Sequence, residues 1–418
     1  MVSSMSDRQR PRTDLRALLE SVEAAPPTAA IEVVTHELAV MVGARAVSFL
    51  IADFSGHAVV RFGRAEPGVD SADSRGVRSR ETVQLADTMY ERVLRTQQVD
   101  VHGMGDGARL ILPVTDRGDA IGVLELILPR YPDAQVVADV AAAAHALSYV
   151  VVANRRHTDL FEWGQRTTPF SLAAEIQRRL LPGSFTCEAG QFTISGWMEP
   201  ASAVGGDTFD YALGEDALQV SITDAAGHDV AAALLATLLV GSLRNGRRRG
   251  LDLGEQARNA NDALVAHSSV GQFVTGQLMR IDLDTSSAKI VNAGHPFPLR
   301  LRDEHVEEIE LDIDFPFGIR SGRSFRVQEF PIAPCDRIVF VTDGMLERNA
   351  AEVDVPDALS RSGDLHPREV VHALGDAVMR ATGGKLRDDA TVVCLDWYGG
   401  PPRLRVSTGG ASEHHAST

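Results

Sequence analysis

Between residues 192 and 396 the chain is written largely in short strand-like segments, at 192–196, 208–213, 218–223, 276–283, 288–293, 298–302, 325–330, 337–342 and 390–396. Few helical stretches interrupt them: about 230–245, about 253–266, and one that follows Pro367 and runs through Ala381. Many strands with only a few helices between them argue for stacked antiparallel sheets flanked by helices rather than an alternating parallel sheet. The predicted class of this half is α+β, a sandwich of two antiparallel sheets between helices.

Acidic residues stand at the ends of these strands. The segments on either side of Gly214-Glu215-Asp216 read as a hairpin, and a turn centred between Glu215 and Asp216 sets Asp207 directly opposite Asp224. Like charges directly opposite one another destabilise a strand pair, so the arrangement calls for a cation. Asp343 lies just beyond one late strand and Asp388 just before the last one. In adjacent antiparallel strands those two ends meet. Gly206, Gly227 and Gly344 beside the acids permit close backbone approach.

A single Asp at a strand end is ordinarily a turn or cap residue. Four that converge make a different case. An oxygen-only cluster suits Mg2+ or Mn2+ better than zinc, which recruits His or Cys. Two such ions can orient a water for in-line attack on a phosphoryl group.

The first part of the chain has another rhythm. Helices are predicted at 15–22, 28–42 and 83–96, with hairpins at 46–62 and 108–128, then an Ala-rich helix from about 134 to 161. Residues 1–13 and 399–418 are expected to be disordered ends. A length of 418 residues fits two domains. The net charge of -16 argues against nucleic acid or an anionic membrane as a partner. Cys187, Cys335 and Cys394 are widely separated and lack metal-ligand spacing, which fits a reducing, cytoplasmic setting. The longest apolar runs fall short of the roughly 20 residues that a membrane span needs.

Residues 14–155, with a linker helix from about 134, resemble a GAF sensor domain. The resemblance rests on the helix ending in Val42-Gly43-Ala44, the hairpin after it, and Leu112-Pro113-Val114 leading to the strand at Ile121-Gly122-Val123. It implies a small-molecule or protein signal, although a filled core that only dimerises is an equal reading. The small-residue stripe of the linker helix, Val140, Ala144, Leu147 and Val151, suits a homodimer contact.

Residues 170–397 resemble the type-2C (PPM) metal-dependent serine/threonine phosphatases, in their SpoIIE-like, RsbU-type branch. Carrying the match are Ile176-Gln177-Arg178-Arg179-Leu180-Leu181-Pro182, Val204-Gly205-Gly206-Asp207-Thr208-Phe209-Asp210, Thr223-Asp224-Ala225-Ala226-Gly227-His228, Asn292-Ala293-Gly294-His295-Pro296, Thr342-Asp343-Gly344 and Asp388-Asp389-Ala390-Thr391. The resemblance implies an enzyme that binds two Mn2+ or Mg2+ ions through Asp207, Asp224, Asp343, Asp388 and the Ala225 carbonyl. Asp210, His228 and Asp389 would be supporting residues, and His228 and His295 are candidate acids for the leaving hydroxyl. Its implied substrate is a phosphorylated STAS-domain anti-sigma antagonist. The sequence departs from the branch at Asp229 and Cys335, where glycine is usual.

Two other functions compete for parts of this sequence. One is a catalytically degenerate GAF-phosphatase scaffold, against which the intact acids argue. The other is a diguanylate cyclase, suggested by Gly205-Gly206-Asp207-Thr208-Phe209, in which Thr208 stands where an acid is needed.

Overall fold

The computed structural model describes residues 14–66, 81–201, 205–227, 229–269, 271–346, 350–401, 403–405 and 407–412. His228 therefore lies outside the described residues, as does the expected disordered N-terminus. The chain divides into two compact units, the first built from residues up to Thr168 together with the C-terminal segment, the second from Pro169–Arg405.

The first unit contains α1 (Leu15–Ala24), α2 (Ala30–Val42), β1 (Ala46–Ala52), β2 (Ala58–Ala65), β3 (Thr82–Gln84), α3 (Met89–Thr96), β4 (Asp100–Met104), β5 (Gly107–Asp116), β6 (Asp119–Leu128), α4 (Ala134–Asn154) and α5 (Leu160–Gly164). Its strands form one sheet in the order β3-β2-β1-β6-β5-β4, with antiparallel neighbours. Helices α1, α2 and α4 pack on one face through Leu38, Phe49, Leu124 and Leu147, and α3 packs on the other through Val93 and Ile111. On β6 the buried Glu125 accepts from Tyr90 Oη at 2.8 Å and from Arg61 Nη1 at 3.0 Å.

Several boundaries differ from expectation. The edge strands β3 and β4 carry mixed polar residues, and such strands show little apolar alternation to read. The helix expected from 83 starts only at Met89, capped by Thr88. The long helix ends at Asn154, before Arg155-Arg156, rather than at 161. By length and composition α4 could cross a membrane. Here Val140, Ala144, Leu147 and Val151 belong to the core of the first unit. Part of the expected C-terminal tail is ordered: Ser407–Thr408 pairs with Ala411–Ser412 around Gly409-Gly410, whose positive φ angles make a tight turn.

The second unit is the sandwich. Its elements are α6 (Leu172–Leu180), β7 (Thr186–Glu188), β8 (Phe192–Glu199), β9 (Asp207–Leu213), β10 (Ala217–Ala225), α7 (Asp229–Arg248), α8 (Leu253–His267), β11 (Val274–Asp282), β12 (Ala288–Ala293), β13 (Leu299–Arg302), β14 (His305–Glu308), β15 (Gln328–Phe330), β16 (Asp336–Val341), α9 (Val355–Ser360), α10 (Pro367–Ala381) and β17 (Ala390–Trp397). One sheet runs β15-β12-β11-β10-β9 and the other β14-β13-β16-β17-β8-β7. The short strands β7 and β14 were not apparent in the sequence, and 325–330 yields only β15.

Strand parity explains the layering. Phe209, Val220, Ile222, Ile338, Phe340, Val393 and Leu395 meet between the sheets. Their sequence neighbours Val339, Val341, Val392 and Cys394 face α9 and α10, while Leu278 and Val291 face α7 and α8. Strands buried on both faces are near-continuous in apolar residues, as β16 and β17 are. The α+β class and the antiparallel sandwich follow as expected.

Candidate active site: carboxylates at one end of the sandwich

The hairpin β9–β10 pairs Asp224 with Asp207 directly across the ladder, with Leu218 opposite Leu213 at its other end. By parity Asp207 lies on the inter-sheet face with Phe209, and Asp224 with Ile222. From the other sheet, β16 delivers Thr342 and then a 3-10 turn, Asp343–Met345, whereas β17 is entered through Asp388 and Asp389. Val341 pairs with Val392, so these two ends lie side by side.

The two sheets are tied together at this end. Thr342 Oγ1 and Thr391 Oγ1 each donate to Asp207 Oδ2 at 2.7 Å. Asp389 is buried and accepts from Ala201 N at 2.8 Å, Gly206 N at 3.1 Å and Gln177 Nε2 at 2.7 Å. The same Gln177 amide reaches the Asp207 carbonyl at 2.8 Å. Helix α6 thus touches both strand ends through one side chain.

Electrostatics reflect the crowding. Burial first, then the charges of Asp343, Asp388 and Asp389, push the Asp224 carboxyl up to about 7. Burial and the Asp224 charge also hold Asp207 well above the usual carboxylate range. Among the described residues no Lys or Arg forms an ion pair with either one. Two facing carboxylates in a low-dielectric site are costly to ionise without a cation.

Does this set fit a metal? Among the described residues, no three His, Cys, Asp or Glu side chains group closely enough to enclose an ion by themselves. The oxygen donors instead come as the facing pair Asp207 and Asp224, with Ala225 at the end of β10. That suits a hard cation of the Mg2+ type, which binds one or two carboxylates and keeps much of its water. A Cβ on Gly206 would come within 2.5 Å of the Ala225 oxygen, so only glycine leaves that carbonyl its place.

Other candidates fall elsewhere. Asp210, expected beside the cluster, is on the opposite face of β9, where it accepts from Arg244 Nη2 at 2.9 Å and Arg247 Nη2 at 3.1 Å. An odd separation from Asp207 along a strand dictates that reversal. His295 does not suit the role of an acid. It is buried, its Nδ1 is 3.0 Å from Thr275 Oγ1, and burial pulls it down to about 3. Its backbone N–H donates to Asn292 Oδ1 at 2.8 Å, which closes the turn after β12. The cyclase reading also loses its basis, because Gly205-Gly206-Asp207 enters a sandwich strand. Sequence reasoning gave Gln177, Thr342 and Thr391 no role. The inward parity of both threonines was the available signal.

The departures at Asp229 and Cys335 share one geometry. Both adopt positive φ, 60° and 72°. Glycine takes this left-handed region freely, and Asp is among the residues that tolerate it best.

Residues 214–398 match the family model described as Stage II sporulation protein E (SpoIIE). Protein IcfG of Synechocystis sp. is 24% identical over 201 residues, which is 41% of this chain but 32% of IcfG, so the chain spans about a third of that relative. Among solved structures, the RsbU and RsbW domains of Rv1364c from Mycobacterium tuberculosis superpose with a TM-score of 0.45 at 24% identity, covering 52% of this chain and 64% of that one. The PP2C phosphatase domain of SpoIIE from Bacillus subtilis, with a fragment of its regulatory domain, gives 0.44 at 17% identity over 75% and 87%. Asp224, Asp343 and Asp388 all lie inside residues 214–398, the stretch of this chain that is similar to the SpoIIE family model.

Proposed function

We propose that the second unit is a metal-dependent serine/threonine protein phosphatase whose site is the carboxylate cluster. The observation that carries this is the register pairing of Asp207 with Asp224 at the end of the sandwich where Thr342 and Thr391 donate from the other sheet. Asp207, Asp224, Asp343, Asp388 and the Ala225 carbonyl would hold two Mn2+ or Mg2+ ions, with Asp343 and Asp388 drawn toward the facing pair when the ions bind. When bound, the ions supply Lewis-acid activation of water for in-line attack on a phosphoryl group. Asp389 and Gln177 hold the strand ends in place. The SpoIIE match supports the assignment.

The substrate we propose is a phosphoserine or phosphothreonine on a STAS-domain anti-sigma antagonist. The first unit acts as a GAF-type sensor of a small molecule or protein, and the protein works in the cytoplasm. The chain dimerises through α4, by its exposed face with Tyr149 and Val152 rather than by the stripe Val140, Ala144, Leu147 and Val151, which is buried in the unit's own core. Regulation would reach the site through α6, whose Gln177 contacts both Asp207 and Asp389.

The test uses the full chain with Mn2+, offered para-nitrophenyl phosphate and a phosphorylated STAS protein, beside Asp343→Asn. Wild type should release phosphate from both, and the variant at least about 100-fold more slowly. A silent wild type, or an equally active variant, overturns the proposal. Removing residues 1–130 should alter the rate or its dependence on protein concentration if the first unit governs the second.

A further inference from the structure

Asp207 is fastened by the sheet it does not belong to. Thr342 stands just past the end of β16 and Thr391 at the start of β17, both fully buried, and both hydroxyls end on the same oxygen, Oδ2. Oδ1 takes no part in these bonds. The direction of one hydroxyl is fixed by a further contact, because Thr342 Oγ1 accepts the backbone N–H of Thr391 at 3.0 Å and so turns its proton toward the carboxylate. The Thr342 N–H in turn donates to the Thr391 carbonyl at 3.1 Å. Each threonine is therefore held by the other's backbone.

β-Branched side chains are stiff at χ1, and here they also sit on paired strands, so the donors do not follow the carboxylate if it turns. Two rigid donors on one oxygen set the plane of the carboxyl group and hence the direction of the other oxygen. Outer hydrogen bonds of this kind orient a metal ligand, and losing them typically weakens metal binding.

We propose that Thr342 and Thr391 are positioning residues that lock Asp207 by Oδ2 and present Oδ1 to a divalent cation, a role that rests on the metal-site reading above. A purely structural role, in which they fill space at the strand ends, is separable by chemistry. Valine removes the donor while keeping the shape, and serine keeps the donor while losing the methyl group.

The experiment is a calorimetric titration of the full chain with Mn2+ alone, without substrate. The double variant Thr342→Val/Thr391→Val should bind Mn2+ about 10- to 100-fold more weakly, and Thr391→Ser should stay close to wild type. A double variant with wild-type affinity overturns the proposal, and so does a serine variant as weak as valine. If the double variant does not fold, Thr391→Val alone should still weaken binding at least about threefold, and an unchanged constant is again fatal. A wild type that takes up no Mn2+ removes the metal reading itself, which is distinguishable from normal uptake that valine leaves untouched.

Discussion

Asp207 and Asp224 face each other across a hydrogen-bonded ladder, one fully buried and the other half-buried. Such a pair sets its own pH dependence. The folded carboxyl of Asp224 is raised to about 7, above its unfolded value near 3.9. Between those values the folded state binds more protons than the unfolded one, so stability falls as pH rises through that window. With EDTA present, the melting temperature should drop between pH 5 and pH 7.5. The drop should be smaller in Asp224→Asn, and Mn2+ should flatten it in the wild type. Circular dichroism melts across this range check all three.

Gly344 sits where the β16 and β17 ends touch. A Cβ there would overlap the backbone carbonyl of Asp389, and backbone cannot swing aside as a side-chain tip can. Gly344→Ala should therefore force the two ends apart, costing about 1–3 kcal/mol in a urea titration and displacing Asp343 from Asp388. Phosphate release should fall more steeply than stability.

Gln177 donates to both the Asp207 carbonyl and Asp389 Oδ2 from a position with no solvent access. Gln177→Leu keeps most of the volume and leaves both acceptors short of a donor. The expected cost is about 1–3 kcal/mol, read as a shift in the denaturation midpoint, together with slower phosphate release.

Cys335 is exposed and holds φ 72° in the turn before β16. A non-glycine residue in this region is strained by roughly 1–2 kcal/mol, and glycine also gains unfolded-state entropy, which offsets part of the relief. Cys335→Gly should be net stabilising by about 0.5–1 kcal/mol in chemical denaturation. Activity should be unchanged, since the turn lies at the opposite end of β16 from Asp343.

Much of the second unit was legible because its strands alternate in two-residue steps and its hairpin is short. Turn position alone sets the register of such a hairpin, which is how Asp207 and Asp224 could be paired from their numbers. The same parity could have moved Asp210 to the other face, where Arg244 and Arg247 wait on a helix. Edge strands such as β4 and β14 escaped notice because no residue along them is buried, so they have no buried face to display as apolar alternation.

The sequence by itself determined the buried strands, the local hairpin and the presence of four acids at strand ends, because periodicity and turn chemistry act over a few residues. Only the tertiary structure decided that the ends of two different sheets meet. Thr342 and Thr391 reach Asp207 across more than a hundred positions of chain, and no local pattern encodes which distant hydroxyl will face a carboxylate. His295 shows the converse. Its place in Asn292-Ala293-Gly294-His295-Pro296 made it a candidate acid, whereas burial, a property of the whole fold, pulls its pKa down to about 3.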